Sequence, residues 1–166
     1  MSFPKLIATI FMSFVVSLAT AGTINVPAKN AVITVNIPDS WEPEETDKGI
    51  AFESPDKVVT VFFEIAAPGK SLNRLIDENI DWLVTEQSVR INAATKKVSE
   101  VSVGGIQSGV VHWDADSKDY GPAKVGFIVT LVGNKTLLTT YWISIKGFQK
   151  QRATFEQIFE SVKPVR

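Results

Sequence analysis

The side chains with the widest chemical range stand in one short run, His112-Trp113-Asp114-Ala115-Asp116-Ser117-Lys118-Asp119-Tyr120-Gly121. Its carboxylates at Asp114, Asp116 and Asp119 are the hard oxygen ligands that a calcium ion takes. The run departs from the calcium-loop pattern in three ways. Lys118 sits where a ligand belongs, the sixth position is not glycine, and no glutamate closes the loop. As a polar stretch between apolar segments it reads as a solvated hairpin tip, with an ion site over residues 112–121 as the alternative.

Hydrolytic chemistry has less to work with. His112 is the only histidine and cysteine is absent. No Gly-x-Ser-x-Gly elbow marks a nucleophile, and a lone histidine within a strand reads as a structural residue. No cofactor motif is present, so the chain is expected to be non-enzymatic and without a cofactor. Net charge at neutral pH is −1, and Lys96-Lys97 is the densest basic cluster. That is far from the one-sided basic field that nucleic acid binding requires.

The elements that position these residues follow from periodicity. Leu72, Leu75, Ile76, Ile80 and Leu83 recur at helical spacing, with Asn73, Asp77, Glu78 and Asp81 opposite and Ser71 as the N-cap. Leu72, Ile76, Ile80 and Leu83 form the row expected to lie on a sheet. Asn79 interrupts the stripe, where a hydrogen bond to neighbouring backbone is expected. A second helix, residues 148–162, carries Phe155, Ile158, Phe159 and Val162 on one face and stops at Pro164.

Strands fill the rest. Residues 22–30 read as a loose lead-in and residues 31–37 as the first strand. Residues 41–46, 50–53 and 58–65 follow before the first helix. Residues 90–95 are ambiguous between strand and coil. Residues 96–103, 106–113, 124–132 and 136–145 are strands, with residues 114–121 a polar loop between two of them. Two strands are apolar on both faces. Val59, Val61, Phe63 and Ile65 oppose Val58 and Phe62, while Tyr141, Ile143 and Ile145 oppose Leu138 and Trp142. A sheet with one wet face would alternate, so both faces of this sheet's centre must be covered, one helix to a side.

Residues 1–21 read as a signal peptide. Lys5 supplies the positive start, residues 6–19 the apolar run, and Ala19-Thr20-Ala21 the small-x-small cleavage pattern. Residues 22–166 then form one domain, periplasmic or secreted, with no transmembrane helix. The absence of cysteine fits a disulfide-free exported domain and excludes a lipid anchor on a cysteine.

The order strands, helix, strands, helix resembles the PsbP-like superfamily. That family includes a photosystem II extrinsic subunit, a Ran-binding nuclear import factor and bacterial DcrB-like envelope proteins. Ile37-Pro38-Asp39-Ser40-Trp41 is similar to the family's strand–Pro–x–x–Trp opening. The short strand at residues 50–55 and the apolar strand at 58–65 then follow in order. Phe155-Glu156-Gln157-Ile158-Phe159-Glu160-Ser161 is similar to its closing Phe-x-x-Ile-x-x-Ser segment. The resemblance implies an α+β fold, an antiparallel sheet of about six to seven strands sandwiched between helices. It transfers no binding residues, since the family's metal- and partner-binding positions have no counterparts here, and fold alone does not give function.

Sheet width points to where function lies. Six or seven strands at a spacing of about 4.8 Å span roughly 30 Å, whereas one helix covers about 10–12 Å. Unless loops cover the remainder, part of an aromatic face stays open beside the helix as a groove. Phe62, Trp113 and Trp142 are its candidate partner-binding residues, with core packing as the alternative. The favoured function is an exported envelope protein that binds a protein or hydrophobic partner, accessory or chaperone-like. The alternative is a periplasmic protein holding a metal or small ligand at residues 112–121.

Overall fold

The computed structural model describes residues 21–66, 72–85 and 88–166. The signal segment up to residue 20 and the Ser71 cap lie outside them.

Two antiparallel sheets and two helices make up the fold. β1 (Ala21–Val26), β2 (Ile33–Pro38) and β11 (Lys163–Pro164) form a three-stranded sheet with β2 in the middle. The large sheet holds β3 (Glu44–Thr46), β4 (Gly49–Glu53), β5 (Val59–Ile65), β6 (Val89–Ile91), β7 (Lys97–Val103), β8 (Ile106–Ser117), β9 (Gly121–Val132) and β10 (Lys135–Ser144). Its order is β3-β4-β5-β10-β9-β8-β6, with β7 on the same outer edge of β8 as β6. The helices are α1 (Leu72–Thr85) and α2 (Phe148–Glu160).

β5 and β10 pair at the centre of the large sheet, Val61 opposite Tyr141 and Phe62 opposite Thr140. These are the two strands whose sequences are apolar on both faces, and both faces are indeed covered. On one side Val61, Phe63, Leu137 and Ile143 pack with Ile158 and Phe159 of α2 and with Val26, Ile33, Val35 and Ile37 of the small sheet. On the other, Phe127, Leu138 and Trp142 pack with Leu75 and Leu83 of α1. One side thus carries a helix and a sheet, the other a helix alone.

Several boundaries differ from the sequence reading. Residues 22–26 belong to β1, paired along β2 from Ala21↔Pro38 to Val26↔Ile33, so the lead-in is a strand. Its apolar Ile24 and Val26 alternate with Thr23 and Asn25, and Val26 is fully buried. Trp41 ends a short 3-10 turn (Asp39–Trp41) rather than opening a strand, and its buried ring meets Phe52 at 6.1 Å. The ambiguous residues 90–95 divide between β6 and a 3-10 turn (Ala93–Thr95) in which Asn92 accepts from the Ala94 amide.

The polar loop at residues 114–121 is mostly strand. β8 runs on to Ser117 and β9 begins at Gly121, pairing Asp114 with Lys124 and Asp116 with Pro122. Only Lys118, Asp119 and Tyr120 make the turn.

Turn chemistry fixes the corners. Buried Ser54 accepts from the Val58 and Val59 amides and donates to Asp56, which closes the β4–β5 connection. Gly104, at φ +58°, lies so close to the end of α2 that a Cβ there would sit 1.8 Å from the Val162 carbonyl oxygen. Its amide donates to the Phe159 carbonyl, tying the β7–β8 hairpin to α2.

Candidate functional site

Cross-strand register places the candidate aromatic residues together. Trp113 pairs with Val125, which pairs with Trp142; Phe62 pairs with Thr140, which pairs with Phe127. Directly paired residues share a face, so Phe62, Trp113 and Trp142 all face α1. The last two pack beneath it, at 7% and 8% exposure.

α1 sits on this face turned from its expected orientation. Leu75 and Leu83 are buried, Ile76 and Ile80 are half-buried, and Leu72 is exposed. Leu72 is therefore not part of the sheet-facing row. Asn79 points to the sheet and donates to Thr140 Oγ1 at 2.9 Å and to Glu64 Oε2 at 3.3 Å. Its partners are side chains of the sheet rather than neighbouring backbone. Trp82 stands against Phe62 with ring centroids 5.0 Å apart.

Because a single helix covers a sheet this wide, three hollows among the described residues remain along α1. One, of about 410 Å³, is bordered by Glu64, Asn79 and Trp82, and the other two reach Trp113 and Trp142. Of these two, the first is a groove of about 1010 Å³ between the last turns of α1 and the β6 edge, lined by Ile80, Val84, Val89, Ile91 and Trp113. Val84 is 47% exposed at its rim. Arg90, Lys96 and Lys118 also line it. Lys96 places its ammonium 5.9 Å from the centre of the Trp113 ring, within cation–π range.

The second is a smaller cavity of about 170 Å³ that reaches from Trp82 and Leu83 toward β4 and β5. Phe62, Trp82, Tyr120 and Trp142 line it. Tyr120, in the β8–β9 turn, stands edge-to-face on Trp142 at 5.2 Å. Trp142 Nε1 is buried and has no hydrogen-bond acceptor among the described residues. Sequence reasoning identified Phe62 and Trp142 but missed Trp82, Tyr120 and the groove residues Ile80, Val84 and Ile91. An aromatic residue beside the polar Asp81 in a helix was the one available sign of Trp82.

The acidic run does not converge. Asp114 and Asp116, two apart on β8, are each paired with a cation, Asp114 with Lys124 Nζ at 2.6 Å and Asp116 with Arg90. The Lys124 hydrogen bond and charge hold the Asp114 carboxyl below its ordinary range. Asp119, in the turn, borders the small cavity instead. Among the described residues no three His, Asp or Glu side chains gather as a metal site would require.

His112 lies on the opposite face of the sheet, in the row His112–Gly126–Tyr141. Burial lowers its pKa, and Lys124 and Lys97 lower it further against the opposing pull of Asp114. Burial also raises the Tyr141 phenol to about 12.

No family model matches the chain, and no curated protein matches it by sequence. Solved structures do match its fold. It is similar to cyanobacterial PsbP (CyanoP) from Synechocystis, with a TM-score of 0.55 at 10% identity over 94% of this chain and 99% of that one. It is similar to LpqN of Mycobacterium tuberculosis, a protein involved in cell envelope biogenesis, with a TM-score of 0.50 at 8% identity over 88% and 92% of the two chains. A protein from Bacteroides thetaiotaomicron matches with a TM-score of 0.53 at 12% identity, over 82% of this chain and 46% of that one. The chain has the PsbP-like α+β fold, and at these identities the likeness is one of fold.

Proposed function

We propose that the protein is an exported, non-enzymatic accessory protein of the cell envelope that binds a protein or hydrophobic partner on its α1 face. The groove of about 1010 Å³ beside α1 carries this reading. A groove with exposed Val84 and half-buried Ile80 and Ile91 along it, over buried Val89 and Trp113, is the kind of apolar-lined feature that marks an interaction surface on a folded domain. The basic Arg90, Lys96 and Lys118 at its border would favour a partner with acidic groups flanking its apolar part. The involvement of LpqN in cell envelope biogenesis supports the envelope reading, as does the signal-like sequence of residues 1–21. Among the described residues no helix is long and apolar enough to cross a membrane.

Co-purification from envelope extract tests it, comparing the wild type with Val84→Asp. Val84 is largely exposed, so the variant should fold normally while placing a charge in the groove. A partner held by the wild type and lost from the variant supports the reading. Equal recovery with both proteins, or no partner with either, overturns it. Mass spectrometry of the exported chain tests the signal: an N-terminus at Gly22 is expected, and an intact Met1 form in the envelope refutes it.

A further inference from the structure

We infer that the protein self-associates through β7, two copies setting their β7 strands antiparallel across a two-fold axis to make one continuous sheet. The two ends of the large sheet differ. At one, β3 spans only Glu44–Thr46 and follows Pro43 with two glutamates. A short, charged, proline-led edge resists pairing. At the other, β7 spans seven residues, Lys97–Val103, and pairs with β8 alone among the described residues. Its lysines, the usual guard of an edge, stand at one end only, and Val98 beside them is 73% exposed. A long edge strand with an exposed apolar side chain is a template for another strand.

Hairpin geometry shows which backbone groups are on offer. Gly104 and Gly105 both have positive φ, +58° and +83°, the type I′ pattern of a two-residue turn. Val103 and Ile106 flank that turn as a bonded pair. Alternation then makes Val101–Ser108, Ser99–Val110 and Lys97–His112 bonded pairs as well. The amides and carbonyls of Val98, Glu100 and Ser102 therefore point away from β8.

Charge selects a second copy as the occupant and fixes the register. A two-fold axis through the sheet keeps like faces together, so even-numbered residues of β7 pair only with even-numbered ones. Val98 stands beside Val111 and Lys96 lies over Trp113, so Lys96, Val98 and Glu100 share the α1 face. With Val98 opposite the partner's Val98, Lys96 falls opposite the partner's Glu100 on both sides of the axis. The exposed valines meet at the centre, flanked by two opposite-charge pairs. Directly paired opposite charges stabilise a sheet and like charges destabilise it. Gln107 Nε2 donates to Glu100 Oε2, which leaves the other carboxylate oxygen for Lys96. Sliding the pairing by two residues sets Val98 against a charge. Sliding it by four sets Glu100 against Glu100 or Lys96 against Lys96. In the favoured register the two Val98 residues exchange backbone hydrogen bonds and each Glu100 amide meets a Lys96 carbonyl. The Ser102 amide stays outside the ladder.

Sedimentation velocity of the purified protein over a range of concentrations is the test, with amide hydrogen exchange at both ends of the range. A concentration-dependent dimer is expected, with exchange slowed at Val98 and Glu100 but not at Ser102. Val98→Lys sets two ammonium groups face to face at the axis, and Glu100→Lys sets lysine against Lys96. Each should weaken the dimer about tenfold. Neither should change the melting temperature of the dilute monomer, because both positions are exposed. Lys96→Glu combined with Glu100→Lys exchanges the charges and should restore the dimer. Val84→Asp should leave it intact, so this interface and the partner groove fail independently. A monomer at every concentration overturns the inference, even one whose edge takes a strand from another protein. So does a dimer that Val98→Lys and Glu100→Lys leave unweakened, or one that protects Ser102 rather than Val98.

Discussion

Gly126 of β9 lies directly opposite Tyr141 of β10, and a Cβ built on Gly126 would stand 2.3 Å from the Tyr141 hydroxyl oxygen. The phenol ring lies across the space a side chain would fill, an arrangement in which an aromatic residue covers a strand glycine. The same placement buries the phenol and lifts its pKa to about 12. Gly126→Ala should therefore cost about 1–3 kcal/mol, the range for overpacking a filled core position. In a Tyr141→Val background the alanine should cost far less, and a double-mutant cycle by denaturant unfolding measures the difference. Additive losses would show that the ring is not what the alanine meets.

The orientation of α1 makes a second prediction. Leu83 is 2% exposed and Leu72 is 36% exposed. Leu83→Ala should cost about 2–5 kcal/mol as a buried truncation. Leu72→Ala and Asp81→Ala should both stay within about 0.5 kcal/mol, as surface changes do. Thermal melts of the three variants decide the matter. A large loss at Leu72 would restore the helix face expected from spacing alone.

That shift shows what one dimension can and cannot carry. β5 and β10 were legible because apolar residues on both strand faces require cover on both sides, and α1 and α2 supply it. The helix was legible as a helix, but its exact facing was not. Asn79 looked like an interruption of the stripe, yet Thr140 and Glu64 on the sheet make it a sheet-facing residue. Asp114 and Asp116 looked like loop because their cations, Lys124 and Arg90, come from other strands. With those partners in place, charge on alternate residues is an ordinary strand pattern. Phe62, Trp113 and Trp142 do share the sheet face under α1, but Trp113 and Trp142 are packed beneath the helix at 7% and 8% exposure rather than left open. The meeting of Tyr120 with Trp142 depends on how the β8–β9 turn folds over β10, which no local spacing encodes.

Thr139 carries a third prediction. It is fully buried on β10 between Phe63 and Ile128, and its hydroxyl has no hydrogen-bond partner among the described residues. A buried, unpaired hydroxyl is destabilising by about 1–3 kcal/mol. Thr139→Val keeps the branched shape and removes the polar atom, so stability should rise by about 1 kcal/mol and the melting temperature by a few degrees. Calorimetry would read it directly. A destabilised variant would mean that the hydroxyl has a partner in solution.

The last prediction concerns pH and rests on His112. Burial, Lys124 and Lys97 all favour its neutral form in the folded protein, and Asp114 opposes them without reversing the balance. Its folded pKa therefore lies below the ordinary 6.5. In the unfolded chain the ring takes up a proton near pH 6.5, while in the folded chain it resists until a lower pH is reached. Between those two points the unfolded state binds more protons, so stability rises with pH and is lost as pH falls. The wild type should lose stability on going from about pH 7 to pH 5.5. His112→Gln, which cannot take the proton, should lose less over the same interval. Carboxylates titrate mainly below this window, so subtracting the variant's profile from the wild type's isolates the imidazole. Denaturant melts at matched ionic strength across the window provide the measurement. Parallel profiles for the two proteins would show that His112 titrates alike in both states, and a steeper loss in the variant would reverse the sign of its coupling to folding.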